Sequence, residues 1–502
     1  MIGFLDKSSR MNSKTTTYIM EDKKGSMTGC ENQIDDQRMI SQFLPCENSI
    51  MYENCDHESI GELALGQPGN FNSTKIYHSL TSREWNTIGY FDPEIVDSSS
   101  LTEIMIDHIV SILFHHVTKL PAYESNAEPS TSSVVKFQLR NLVVAIEDSY
   151  EQNHFHSFNH AYQVVVSMNK LIDEITRDPP SKIKTNLFFQ DPLFAFSLVF
   201  GALIHDVGHT GMSNQILKEQ HHSLCDIYNH HDESIAERYS LDLAIKIFNL
   251  NEFNDLRNII LPDEIHRVKF GKALFHSILI TDITSKERNK MSLKRFELTA
   301  VPPYSELTCQ CECCTDSTST LSEQKCLEKN SILYDSEIDP MTEYLDDVLE
   351  GVNVPKSFAR TTYRMEFEIT HCKLQTISMI EHFMLLSDVG HLMQGWNNFV
   401  KWNFRLYKEI IACYKKGLCG DPSSGWYKGQ IGFFDFYIIP LAKRGSAFFT
   451  SKDFGIKLVE QAEINKNQWI EHGEKATDLM INAALNDEEE TTVLRNLYLL
   501  VT

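Results

Sequence analysis

The chain has 502 residues, 42% hydrophobic and 10% aromatic, enough for a sizeable core in one large helical domain or in two to four smaller ones. Its 46 Lys and Arg against 69 Asp and Glu give a net charge of −23, which excludes a general nucleic-acid binder, because a phosphate backbone demands clustered positive charge. A small anionic substrate stays admissible, since bound metal ions supply positive charge locally.

Residues 1 to about 85 are polar, rich in Ser, Asn, Asp and Glu, and lack a sustained period, which predicts a disordered or regulatory N-terminal region. Met1 to about Met27 has no apolar core of a signal peptide, and the longest apolar-rich run, Leu193 to Ile204, is too short to span a bilayer. Twelve cysteines without a secretory signal read as reduced thiols, so the chain is expected to be cytoplasmic. Tethering to a membrane through a lipid or a partner stays open, and the sequence is silent on oligomeric state.

From about Trp85 the texture changes to long apolar-periodic segments. Helical spacing predicts helices over 101–120, 134–150, 155–175, 193–204, 234–250, 268–281, 363–386 and 396–414. Strand alternation is scarce, so the expected fold is all-α. Asp191-Pro192 places an N-cap acceptor before a proline at the first helical position, opening the segment that ends at His205. Later, Leu374, Ile377, Ile380 and Met384 recur three and four apart, a buried face leading to Asp388. Both helices deliver polar residues at the end of an apolar stem, which is how a bundle places a metal site at the edge of its core. A polar, acidic insertion at about 299–354 carries Cys309, Cys311, Cys313 and Cys314. This cluster lacks the separated pairs that close a structural zinc site, so an exposed disordered loop is expected there.

A lone His in an apolar segment is usually a core residue satisfied by one hydrogen bond, and His-Asp arises by chance. The combination here is less ordinary. His156 and His160 lie four apart and would share a helix face, His205-Asp206 ends an apolar helix with His209 following, and Asp388 ends another. Imidazole with carboxylate suits zinc, iron or manganese, and carboxylate with retained water suits magnesium or manganese. Two His and two Asp thus describe a nitrogen-rich site and a water-rich site bridged by an Asp. Such a metal pair activates a shared water and clamps phosphoryl oxygens, and a non-ligand histidine such as His156 can protonate the leaving alkoxide.

Six segments carry a more specific resemblance. They are Phe155-His156-Ser157-Phe158-Asn159-His160-Ala161, His205-Asp206-Val207-Gly208-His209-Thr210-Gly211, Ser234-Ile235-Ala236-Glu237, Ile278-Leu279-Ile280-Thr281-Asp282, Ser387-Asp388-Val389-Gly390-His391 and Gly429-Gln430-Ile431-Gly432-Phe433. In this order they resemble the class I cyclic-nucleotide phosphodiesterases, members of the HD-domain metal hydrolases, over about residues 85 to 500. The resemblance implies a compact multi-helix catalytic domain over 86–502, with a two-metal site at the base of a deep pocket. It implies hydrolysis of 3′,5′-cAMP, cGMP or both to the 5′-monophosphate by a metal-bridged hydroxide. By the same resemblance His160, His205, Asp206 and Asp388 match the zinc ligands, and Asp206 also reaches a second ion, usually Mg2+ or else Mn2+. His156 matches the proton donor to O3′. His209, Glu237 and Thr281 match residues that hold metal-bound waters. Gln430 matches the glutamine on the purine edge, Phe433 and Leu406 the two jaws of the base clamp, and His391 another polar residue of the purine pocket.

The departures are specific. Ser157 replaces the family's Asn, Gly208 its Asp, Ser387 its Ala and Ile283 its Met. The family's Glu-Asn-His-His run becomes Glu237-Arg238-Tyr239-Ser240, preceded by an apparent two-residue insertion at His230-His231 that blurs the register of Glu237. Two alternatives remain: an HD-type hydrolase of another phosphate ester, and a catalytically weak cyclic-nucleotide-binding regulator. The Gln430 to Phe433 segment speaks against the first and the retained ligand set against the second.

Overall fold

The computed structural model describes residues 84–87, 98–125, 128–177, 191–228, 234–299, 359–449 and 452–501. Every regular element among them is helical, as expected. The N-terminal region up to residue 83, the His230-His231 insertion and the Cys309–Cys314 cluster lie outside the described residues.

The first long helices are α1 (Ser98–Val117), α2 (Pro129–Glu147), α3 (Phe158–Arg177) and α4 (Pro192–Ile204). Helix α4 is apolar on all sides, and eleven of its thirteen residues are buried, so it must lie inside the protein rather than on its face. It packs against α1, α3 and α9 (Glu264–Leu279). Its start is set as the sequence predicts: the Asp191 side chain accepts from the Leu193 amide at 3.0 Å, with Pro192 following.

The chain continues through α5 (Asn214–Glu219), α6 (Ser223–Ile227), α7 (Ile235–Phe248) and α8 (Asn254–Ile260) to α9 and then α10 (Lys286–Thr299). Helix α11 (Ala359–Asp388) packs on α3, α9 and α10, burying Leu374, Ile377, Ile380 and Met384 as their spacing requires. Helix α12 (Trp396–Lys415) follows. Next, α13 (Trp426–Phe433) passes through a π turn at Phe434–Ile438 into α14 (Ile439–Ser446). The long α15 (Lys452–Asn486) and short α16 (Glu490–Tyr498) close the bundle against α12, α13 and α14. Among the described residues no helix is long and apolar enough to cross a membrane.

One local expectation fails. The predicted helix over 155–175 begins three residues later, at Phe158, so His156 and His160 do not share a helix face. His156 lies in the bend before α3, where its backbone amide and that of Phe155 donate to Glu409 Oε2 at 3.1 and 2.8 Å. A carboxylate from α12 satisfies two amides that precede α3 and have no acceptor within it.

Candidate functional site

Three helix ends converge. His160 sits in the first turn of α3, His205 caps α4 and begins the turn that carries Asp206, and Asp388 is the last residue of α11. His160 Nε2 lies 2.9 Å from Asp388 Oδ1. His205 Nε2 lies 3.0 Å from Asp206 Oδ2 and 3.5 Å from Asp388 Oδ1. Ligand atoms of His160, His205 and Asp206 all fall within 4.8 Å of one another. The His160 ring is held between the rings of Phe155, 4.5 Å away, and Trp402, 5.1 Å away.

The donor set fits a metal ion. His205 Nδ1 approaches the Ala202 carbonyl at 2.9 Å, which places one ring proton on Nδ1 and turns Nε2 toward the two carboxylates. That Nε2 is buried and has no hydrogen-bond partner although two carboxylates face it, and His160 Nδ1 is likewise buried and unpartnered. Burial would lower His205's pKa, but Asp206 and Asp388 outweigh it and raise it well above the usual imidazole range. Burial would raise both carboxyls. His205 and His156 hold Asp206 well below the usual range, and His160 and His205 do the same for Asp388. Protonated imidazole thus supplies the positive charge that these carboxylates require, a part a divalent cation would take over.

A second carboxylate group adjoins the first. Asn214 on α5 donates through Nδ2 to Glu237 Oε2 at 2.9 Å and to Asp282 Oδ2 at 3.2 Å. Ser234 Oγ also donates to Asp282, at 2.9 Å. Burial, then the neighbouring Asp282, push the Glu237 carboxyl up to about 8. Glu237 therefore reaches the site despite its uncertain register, while Thr281 turns its hydroxyl to the Ile278 carbonyl at 2.7 Å.

His156 and His209 stack with ring centroids 3.9 Å apart. Glu409 Oε1 accepts from His156 Nδ1 in a very short contact. Burial would lower the His156 pKa, but Glu409, then Asp206 and Asp388, lift it to about 9. His209 goes the other way, lowered to about 4 by burial and by His156. The ligand atoms of His156, His209 and Glu409 also lie within 4.8 Å of one another, yet Glu409 is committed to three donors from residues 155 and 156. The set is held together by hydrogen bonds to Glu409, which speaks against a metal ion among these three residues.

All of this opens into a cavity of about 1300 Å³. Ten of the twelve residues singled out from sequence line it: His156, Asp206, His209, Glu237, Thr281, Asp388, His391, Leu406, Gln430 and Phe433. The other two, His160 and His205, are buried behind it against Asp388. Gln430 is fully buried on α13, and Phe433 stacks on Tyr437 at 5.2 Å with the rings 6° from parallel. Burial lowers His391 to about 3, which leaves it neutral.

Sequence reasoning missed Glu409, Asn214, Asp282 and Trp402. For Glu409 a signal was present, because it lies three residues after Leu406 and seven after Trp402, on the cavity face of α12.

Two departures from the family pattern prove to be one feature. Gly208 has φ +72°, and a Cβ there would meet Tyr239 Cε1 at 2.7 Å and Leu243 Cδ2 at 2.8 Å. The ring at position 239 fills the space that a side chain at 208 would need.

Comparison with known proteins gives a consistent picture. A probable 3′,5′-cyclic-AMP phosphodiesterase of Caenorhabditis elegans is 27% identical over 188 residues, which are 38% of this chain and 25% of that protein. A cGMP-specific 3′,5′-cGMP phosphodiesterase of Dictyostelium discoideum is 27% identical over 149 residues, 30% of this chain and 29% of that protein. The matched stretches thus span little more than a quarter of these relatives' length. The phosphodiesterase domain of Salpingoeca rosetta rhodopsin phosphodiesterase superposes with a TM-score of 0.49 at 17% identity, covering 80% of this chain and 94% of that one. The family model described as 3′5′-cyclic nucleotide phosphodiesterase matches residues 155–457, a stretch that contains every residue of the site, and the chain belongs to that family.

Proposed function

We propose that the chain hydrolyses 3′,5′-cAMP, 3′,5′-cGMP or both to the 5′-monophosphate. The observation that carries this is the convergence of His160, His205, Asp206 and Asp388, with His156 hydrogen-bonded to Glu409 nearby, at a cavity that Gln430 and Phe433 also line. His160, His205, Asp206 and Asp388 would hold a first ion, zinc. Asp206 would share a second, magnesium or manganese, whose waters His209, Glu237 and Thr281 would anchor. When bound, the two ions supply a nucleophile at neutral pH and neutralise charge on the phosphoryl oxygens.

The remaining work belongs to the chain's own side chains. His156, kept protonated by Glu409, donates its proton to the O3′ leaving group, and Glu409 holds the ring in its orientation through Nδ1. Gln430 hydrogen-bonds the purine edge, Phe433 and Leu406 clamp the base, and His391 completes the purine pocket as a neutral polar group. A glutamine amide can present either end to a purine, so both nucleotides belong to the proposal. The relatives' names, one specifying cyclic AMP and one cGMP, are consistent with that. Residues 86–502 form the catalytic domain in this reading, with 1–85 regulatory. A cytoplasmic setting accords with the free thiols of Cys225, Cys413 and Cys419.

The test is turnover of both nucleotides by purified protein, before and after chelation and after adding back magnesium or manganese. At least one nucleotide should be hydrolysed to its 5′-monophosphate, chelation should abolish this, and divalent ions should restore it. Metal-replete protein that leaves both nucleotides intact would refute the assignment.

A further inference from the structure

The metal and purine residues occupy only part of the cavity. Residues of α10 and the end of α5 form another part of its wall, which carries Lys218, Lys286, Lys290 and Lys294. The last three are solvent-exposed and recur every fourth residue, so they form one stripe along α10. The same helix spends its arginines elsewhere: Arg288 donates to Ser234 Oγ at 2.9 Å, and Arg295 pairs with the buried Glu381. Like charges four apart on a helix repel, so the stripe weakens α10 rather than supporting it. Among the described residues none of the four lysines forms an ion pair. Two carboxylates share this wall, Glu219 and Glu297, so four positive and two negative charges leave it at +2. The whole chain carries −23.

We propose that this lysine wall is an electrostatic funnel that draws the anionic substrate into the cavity. The inference rests on the cyclic-nucleotide reading above and adds residues which that reading does not use. A cyclic nucleotide carries one negative charge on its phosphodiester and approaches a protein whose overall field repels it. A positive wall at the mouth of a low-dielectric cleft focuses the local field and raises the substrate concentration at the entrance, an effect of about ten- to a thousandfold in steered systems. Exposed lysines are screened by salt, which places the effect here at the lower end, about tenfold at low ionic strength. None of the four touches the ligand cluster or His156, so the gain enters through KM.

The experiment compares the full chain with a Lys286→Gln, Lys290→Gln, Lys294→Gln triple variant, and with the triple Lys→Arg variant as a charge-preserving control. Steady-state kinetics with cAMP and with cGMP are followed from low to physiological salt. The Gln variant should lose about tenfold in kcat/KM at low salt and converge on wild type as salt rises, with kcat changed less than twofold. The Arg variant should keep the wild-type salt slope. A Gln variant whose salt slope parallels wild type, or whose loss falls on kcat at every salt concentration, overturns the funnel alone. Absence of wild-type turnover on either nucleotide overturns both the funnel and the cyclic-nucleotide reading.

Discussion

Glu409 accepts from three donors on one bend, the amides of Phe155 and His156 and the His156 ring, so a change that removes its charge while keeping its shape separates electrostatics from positioning. Glu409→Gln retains an acceptor for the backbone but withdraws the carboxylate that lifts the His156 pKa. A general acid works below its own pKa, so the alkaline limb of the kcat–pH profile should move to lower pH. At neutral pH kcat should fall about a hundredfold, the lower end of what a positioned acid contributes. An unshifted limb would show that His156 holds its proton without Glu409. His156 was singled out from the sequence and its partner Glu409 was not. Phe155 and His160 sit in one recognisable segment, whereas Glu409 is 253 residues from His156 and looks, in isolation, like a charged residue on an amphipathic helix.

At the scale of elements, apolar stems are what sequence reveals best. Helix α4, the buried face of α11 and the Asp191 cap were all readable because they depend on neighbours within a few turns. Helix α15 escaped notice, although Phe454, Leu458, Ala462, Trp469, Ala476 and Met480 keep a single buried stripe along it, because charged residues crowd its exposed sides. Junctions between elements were least legible. The turn after α4 meets α7 through Gly208 and Tyr239, and only the fold shows that these two departures share one space. Gly208→Ala should therefore destabilise the protein by about 2–4 kcal/mol, combining the cost of a left-handed backbone with overpacking against Tyr239. In the Gly208→Ala, Tyr239→Ala double variant the overpacking against Tyr239 should be relieved, while the backbone cost and the contact with Leu243 should remain. Urea-unfolding midpoints of the single and double variants measure the coupling. Strictly additive losses would mean that the ring and the glycine are independent.

Across the whole molecule, one turn collects hydrogen bonds from remote parts of the chain. The segment Gly390–Met393 follows Asp388 and carries His391 into the cavity. Trp85 Nε1 donates to the Met393 carbonyl at 2.6 Å, and the Gly395 amide donates to Asn86 O at 3.2 Å. From α15, Asn465 Nδ2 donates to the carbonyls of Leu392 and Gln394 at 2.9 and 2.7 Å. From α3, Gln163 donates to Gln394 Oε1 at 2.7 Å, and Gln394 Nε2 donates to Ser167 Oγ at 3.2 Å. Asn465, Gln163 and Gln394 are buried, so each bond lost here leaves a polar group without water to replace it. Trp85 is the outermost member, buried itself and edge-on to Phe454 at 5.5 Å. It fixes the turn from a segment 308 residues away in the chain. Trp85→Ala should cost about 3–5 kcal/mol through the cavity it opens and the Met393 carbonyl it orphans. In the proposed reading His391 belongs to the purine pocket, so KM for the cyclic nucleotide should rise severalfold while the metal content that His160 and His205 would hold stays unchanged. Thermal unfolding, metal content and KM measured on the same preparation separate these effects. A variant that loses stability but keeps the wild-type KM would show that Trp85 supports the core without setting the pocket.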